Sequence, residues 1–327
     1  MTLPVLLRLL KYTVVAALWV GVSIQGAQAE ERYASIVVDA ETNEVLHARF
    51  ADDSRYPASL TKVMTLYMLF DALKSGSISI HDQLPVSRFA DSQPASDLGL
   101  RAGATISVEE AIYALITKSA NDVAVVVSER LGGSEERFAA LMTVKAHQLG
   151  LASTRFYNAS GLPDERQVTT ARDMSRLAEA LLEEHGDYYH YFANERFTWK
   201  RTTYKNHNRL LETVPGVDGI KTGYTRASGF NLMTSAIRDG RRIIVVMLGG
   251  NSARARNTHV TQLVEAAYTA LDSVPQMEQE LQPALNTQIA FSSVENQPLT
   301  ISGGPAATAE GDTDIAEGAS ISLPLEE

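Results

Sequence analysis

Cysteine is absent from this chain of 327 residues. That excludes disulfides, thiolate metal ligands, a cysteine nucleophile and lipid attachment at an N-terminal cysteine, and it leaves export open. Basic residues are scarce towards one end. No lysine or arginine follows Arg256, and 29 Lys and Arg stand against 39 Asp and Glu, a net charge of -10. This balance excludes attachment to nucleic acid or to an anionic bilayer by charge. Long apolar runs are missing too: Val14 to Ile24 falls short of the ~20 residues a membrane span needs, and Arg8 and Lys11 sit inside any longer window. The seven histidines lack the His-Glu-x-x-His spacing of a zinc site, so surface or core roles are expected and no metal or other cofactor.

What is present divides the chain into three. Arg8 and Lys11, the apolar stretch after them and the small-x-small triplet Ala27-Gln28-Ala29 read as a signal peptide spanning 1–29, cut after Ala29. Residues 276–327 are rich in Glu, Asp, Ser, Ala, Gly and Pro and cannot bury enough apolar surface to fold alone. They read as a disordered acidic tail, with room for a short strand near Gln288 to Phe291 or Leu299 to Ile301. Between them, 30–275 has the composition of a folded domain.

Its periodicity is β at both ends and α in the middle. Ala34 to Asp39 and Glu44 to Arg49 flank a Glu41-Thr42-Asn43 turn, while Gly229 to Thr234 and Arg242 to Leu248 flank Asp239-Gly240, a hairpin signature. Helices are expected over Val108 to Ile116, Asp122 to Leu131, Ser134 to Leu149 and Ala171 to Glu184, with glycines 132, 133 and 150 as stops. Early and late strands must pair across the chain, which predicts an α/β domain with a mainly antiparallel sheet. The aromatic run Tyr188 to Phe192 reads as packing at a helix end, with stacking on sugar rings as the alternative.

Three short motifs carry chemistry: Ser59-Leu60-Thr61-Lys62, Ser119-Ala120-Asn121 and Lys221-Thr222-Gly223. Singly they are weak, since a Ser-x-x-Lys arises by chance about once in a chain of this length. Together they describe an activated serine. A hydroxyl needs a base within hydrogen-bond reach, and a lysine three residues on shares its helical face. To accept a proton Lys62 must be neutral, roughly 3 units below its free pKa, and burial or a second cation such as Lys221 pushes that way. Ser119 offers a hydroxyl to relay a proton, and Asn121 can hold Lys62 or a substrate amide. Ser59, after Tyr56-Pro57-Ala58, falls in the first turn of a helix, where free N–H groups favour an oxyanion. The plainer role there is that of an N-cap. Gly223, on a strand facing the nucleophile, leaves room for a substrate backbone. Asp164 and Glu165 read as solvated loop charges.

Tyr56 to Lys62, Ser119 to Asp122 and Val217 to Thr225, supported by Phe156 to Leu162, Asn206 to Leu211 and Gly229 to Leu232, resemble the low-molecular-mass penicillin-binding proteins, the D-alanyl-D-alanine carboxypeptidases of serine peptidase family S11. The resemblance runs from about Tyr33 to about Leu271. It implies a serine β-lactamase/DD-peptidase-like fold, an antiparallel sheet flanked by helices with an all-helical subdomain. It makes Ser59 the acyl-ester nucleophile, Lys62 its proton acceptor and Ser119 with Asn121 the middle motif. Lys221, Thr222 and Arg256 become ligands of the substrate carboxylate, and the N–H groups of Ser59 and Tyr224 the oxyanion hole beside Gly223. The implied partners are peptidoglycan pentapeptide stems and β-lactams as covalent inhibitors, and the implied place is the periplasm. Two other readings stand beside the carboxypeptidase: a DD-endopeptidase on cross-links, and a non-catalytic wall-binding module. Relatives in this family often continue into a β-rich stalk and a basic amphipathic helix. No C-terminal membrane anchor of that kind is evident here, so a soluble enzyme is expected. The Glu-x-x-Leu-Asn pattern of class A β-lactamases is absent, so a penicilloyl adduct should persist.

Overall fold

In the computed structural model, which describes residues 32–273, strands from early and late in that span meet in one sheet. The signal peptide of 1–29 and the tail of 276–327 lie outside the described residues. Strands β1 (Ala34–Asp39) and β2 (Val45–Arg49) form the first hairpin. Small hairpins follow, β3 (Gln83–Pro85) with β4 (Thr105–Ser107) and β5 (Arg196–Trp199) with β6 (Thr202–Lys205). Then come β7 (Val217–Thr225), β8 (Gly229–Arg238) and β9 (Arg241–Gly250). The main sheet has the order β2-β1-β9-β8-β7 and is antiparallel throughout, which leaves β7 on an edge. Asp239 and Gly240, both at positive φ, make the β8–β9 turn that the sequence announced.

The run Ile243 to Leu248 is apolar without alternation because both faces of the sheet are covered. Successive residues serve different cores. Ile36, Val38, Ile244, Val246 and Leu248 belong to the larger core, shared with helix α1 (Thr61–Lys74). Val37, Leu232, Ile243, Val245 and Met247 face the smaller one, closed by a helix over 253–273 through Val260, Val264, Ala267, Tyr268 and Leu271. Each fully buried large side chain contributes roughly 1.5–3 kcal/mol, so this helix holds the second face firmly.

The all-helical part lies in the middle of the chain as expected: α2 (Val108–Tyr113), α3 (Asn121–Gly132) and α4 (Glu135–Gln148), followed by α5 (Ala171–Glu184). Ser107 and Glu110 form a reciprocal capping box at α2, while Ser134 and Thr170 cap α4 and α5. Helix α3 is buried on nearly every side through Val123 to Ser128, so it forms the axis of this subdomain. The structure departs from the sequence reading in several places. The predicted helix to Ile116 ends at Tyr113 and widens into a π turn over Ala114–Lys118. The two small hairpins and the helix over 253–273 were not foreseen. Tyr189, Tyr191 and Phe192 of the aromatic run are buried, and Tyr188 stacks on Phe70 at 5.0 Å, so the run is packing. Among the described residues no helix is long and apolar enough to cross a membrane.

Candidate active site

Ser59 stands not inside the first helical turn but in a 3₁₀ turn, Ala58–Leu60, that feeds directly into α1. Its hydroxyl caps neither segment, so the N-cap role does not apply. The turn is bent by Ala58 at a φ of 49°. It is then fixed from two sides. On β8 the buried Asn231 donates through Nδ2 to the carbonyls of Tyr56 (2.9 Å) and Pro57 (3.1 Å), and its Oδ1 accepts from Gly249 N–H at 2.9 Å. Gly223, paired with Asn231 across the sheet, has no side chain where a Cβ would stand 3.0 Å from Pro57 O and 3.1 Å from Ser59 N. Its space is therefore taken by the nucleophile's own backbone, a more immediate reason for glycine than the approach of a substrate. From the other side Gly161, at a φ of +83°, presses on Ala58 so closely that a Cβ would stand 1.9 Å from its carbonyl oxygen.

Lys62, one turn further on, is wholly buried. Its Nζ lies 3.3 Å from Ser59 Oγ and donates to Asn121 Oδ1 at 2.8 Å and to the Ser160 carbonyl. Burial first, then the nearby Lys221 cation, lowers its pKa well below the ordinary lysine value, against the opposing pull of Asp122 and Glu135. A neutral amine has two N–H bonds and one lone pair. With Asn121 and Ser160 accepting the two hydrogens, the lone pair is left for the third neighbour, the Ser59 hydroxyl.

Residues with no motif signature hold this arrangement. The segment that brings Ser160 O to Lys62 is gripped by Thr65 Oγ1, which donates to Ala159 O at 2.7 Å. Glu135 Oε1 accepts from Ala159 N–H at 3.0 Å. Asp122 accepts from the N–H groups of Leu98, Leu100 and Val123 at 2.9 to 3.1 Å, which fixes the loop opposite Asn121. Ser119 ends the π turn in the left-handed conformation, φ 60° and ψ 42°. For a non-glycine residue that costs about 1–2 kcal/mol. Its buried Oγ has no hydrogen-bond partner among the described residues, so its donor is unspent.

The other end of the cleft is cationic. Lys221 Nζ, buried, donates among the described residues only to the Thr222 carbonyl at 3.1 Å, and burial with the Arg256 charge lowers its pKa to about 7. Arg256 is buried, 4% exposed; it donates to Asn257 Oδ1 through Nε and Nη2, and burial lowers its pKa to about 10. His207 and Arg209, which the sequence reading left without a role, also line the cleft. Asn206 and Asn208 pin their segment, the latter donating to Gly219 O at 2.8 Å. Burial and the cations Lys221, Lys118, Arg209 and Arg256 lower the His207 pKa to about 4, so its ring is neutral at physiological pH. Ser59, Ser119, Asn121, Thr222, Gly223, Tyr224 and Arg256 all border one cleft of about 670 Å³. Tyr224 forms its lip, 56% exposed and packed on Phe230 at 4.2 Å. Asp71, Glu184 and His185 come together outside the lining of this cleft, Asp71 from the far end of α1. There Lys145 pairs with Asp71 at 2.9 Å and Tyr67 donates to Glu184 at 2.7 Å, which makes the trio part of an ion network.

An edge strand carrying Lys-Thr-Gly, set against a Ser-x-x-Lys helix with a helical subdomain between, is the fold of the penicillin-binding DD-peptidases. Solved structures agree. Penicillin-binding protein 5 from Haemophilus influenzae superposes with a TM-score of 0.70 at 30% identity over 72% of this chain and 70% of that one. Penicillin-binding protein D2 from Listeria monocytogenes, solved in its ampicillin-bound form, gives 0.64 at 30% identity, over 73% and 97%. The chain belongs to the Peptidase_S11 family, D-alanyl-D-alanine carboxypeptidase, whose family model matches residues 23–252. Curated relatives include the D-alanyl-D-alanine carboxypeptidases DacF of Bacillus subtilis (strain 168) and DacC of Escherichia coli (strain K12). Each is 34% identical over 76% of this chain, and the match spans 64% of the relative's own length.

Proposed function

We propose that the protein is a serine D-alanyl-D-alanine carboxypeptidase that removes the terminal D-alanine from peptidoglycan pentapeptide stems. The observation that carries this reading is the Lys62 amine, with both its hydrogens claimed and its third neighbour the Ser59 hydroxyl at 3.3 Å. A stem peptide lies along the free edge of β7 as an added strand. Its terminal carboxylate meets Lys221, Thr222 and Arg256. The scissile carbonyl reaches the N–H groups of Ser59 and Tyr224, where preorganised donors favour a developing oxyanion. Ser59 Oγ attacks as Lys62 takes its proton. The proton then passes through the Ser119 hydroxyl to the amine of the departing D-alanine, leaving an acyl-ester on Ser59. Water, deprotonated by the same relay, hydrolyses the ester and regenerates both serines.

A β-lactam carboxylate fits the same cations, and its ring amide the same oxyanion donors. Opening the ring leaves the amine attached, so the adduct on Ser59 outlasts the peptide acyl-enzyme. This reading extends to export by the segment 1–29 and to action in the periplasm. Incubation with purified pentapeptide and cross-linked muropeptides, read by chromatography, tests the proposal. Release of D-alanine from the pentapeptide is expected. Cleavage confined to cross-links would make the protein an endopeptidase, and no cleavage together with no mass gain after benzylpenicillin would make it a binding module.

A further inference from the structure

The structure carries a second, smaller cavity beside the cleft, about 120 Å³, which shares the walls Gly161, Leu162, Pro163 and Thr225 with it. Its remaining lining is apolar on one side, Tyr56, Pro57, Ala58 and Ala227, and acidic at the rim, Asp164 and Glu165. The two acids differ. Asp164 is spent: it accepts from Arg166 Nε at 3.0 Å and Nη2 at 2.7 Å, and that pair holds its carboxyl below the usual range. Gln167 is spent as well, its Oε1 accepting from Tyr157 N–H at 2.8 Å. Glu165 is exposed and enters no hydrogen bond or ion pair among the described residues.

Direction along β7 says which part of a substrate arrives there. The carboxylate ligands Lys221 and Thr222 stand at one end of the motif and the Tyr224 N–H further on. Whatever precedes the scissile bond therefore continues past Tyr224 to Thr225, the residue that the cleft and the small cavity share. We propose that this cavity is a subsite for an amine-bearing aliphatic side chain on the acyl side of the scissile bond. The methylenes lie between Tyr56, Pro57 and Leu162, and the ammonium meets Glu165. The cleft itself repels such a cation, since Arg226, Arg209 and Arg256 line it, so the acidic rim is the place beside the acyl arm where a positive group is favoured. The inference rests on the proposed reaction and its direction along β7.

The test uses two synthetic peptides ending in D-Ala-D-Ala that differ only in a lysine ε-amine, free in one and acetylated in the other. Wild-type protein should process the free amine about three- to fivefold faster in kcat/KM, the range of a partly exposed ion pair. The preference should shrink in high salt. Glu165→Gln should bring the two peptides within a factor of about 2, and Glu165→Lys should invert the order. A wild-type preference that survives both substitutions, or no preference at all, would overturn the subsite. If wild-type protein cuts neither peptide yet is acylated by benzylpenicillin, the carboxypeptidase reading falls instead. The subsite is then judged by the same two peptides as competitors of that acylation, with the same order expected and the same equality fatal.

Discussion

Lys62 and Lys221 are both buried lysines beside one cleft, next to its lining residues Ser59 and Thr222, and their surroundings give them opposite chemistry. Lys62 is met by acceptors, Asn121 Oδ1 and Ser160 O, with the carboxylates Asp122 and Glu135 behind them. Lys221 has, among the described residues, a single carbonyl, that of Thr222, and the Arg256 cation for a neighbour. An amine whose hydrogens are all claimed presents a lone pair. An amine with donors to spare presents those donors, and the crowding of positive charge around it is relieved only when an anion arrives. Residue type thus leaves the role open, and the count of acceptors around each nitrogen decides it.

The comparison breaks most sharply at its basic end. Lys62→Arg keeps a cation at the position and removes the proton acceptor, because a guanidinium does not deprotonate in proteins. The rate of Ser59 acylation by benzylpenicillin, followed by intact mass, should fall about 10²–10⁴-fold, the span of general-base catalysis. A variant within a factor of 10 of wild type would remove Lys62 from that role. At the other lysine the expected loss is smaller. Lys221→Gln gives up one charge-assisted contact to the carboxylate, about 1.5–3 kcal/mol, or roughly 10- to 150-fold in the second-order acylation rate. The loss should be slight for a penicillin ester that has no free carboxylate.

Acidity sharpens the contrast without mutation. Lys62 must be neutral, so acylation rises with pH through its lowered pKa. Lys221 must be charged, so acylation falls as pH climbs past its value of about 7. A bell is expected for benzylpenicillin, and the falling limb should vanish for its ester. An identical limb for both compounds would detach it from the carboxylate. The smallest expected change is at Glu135. Glu135→Gln keeps an acceptor for Ala159 N–H and removes a charge that favours the Lys62 ammonium, so the rising limb should move to lower pH by less than about one unit. Movement to higher pH would contradict the assigned influence.

Much of this was legible in the order of residues. Strand β1 and the limits of α5 follow from an apolar β-branched run before the Glu41-Thr42-Asn43 turn and from the Thr170 cap, and the Asp239-Gly240 turn from its own chemistry. The three motifs converge on the cleft as their order implied. What stayed hidden was backbone and long-range context. The Ser160 carbonyl has no letter in the sequence. Glu135 and Asp122 look like any acid in the first turn of a helix. Asn231 lies in a stretch read only as a strand and for its likeness, and its grip on the Tyr56 and Pro57 carbonyls depends on a pairing 175 residues away in the chain. The helix over 253–273 did leave a signal: Val260, Val264, Ala267, Tyr268 and Leu271 recur at helical spacing, just after Arg256.

Titration of Lys62 itself tests the account most directly. With lysine side chains labelled and the Lys62 resonance assigned by its loss in Lys62→Arg, the account predicts that its ε-methylene signal titrates well below the ordinary lysine range and shifts when Ser59 is acylated. A Lys62 that titrates near the free value of about 10.4 would contradict it.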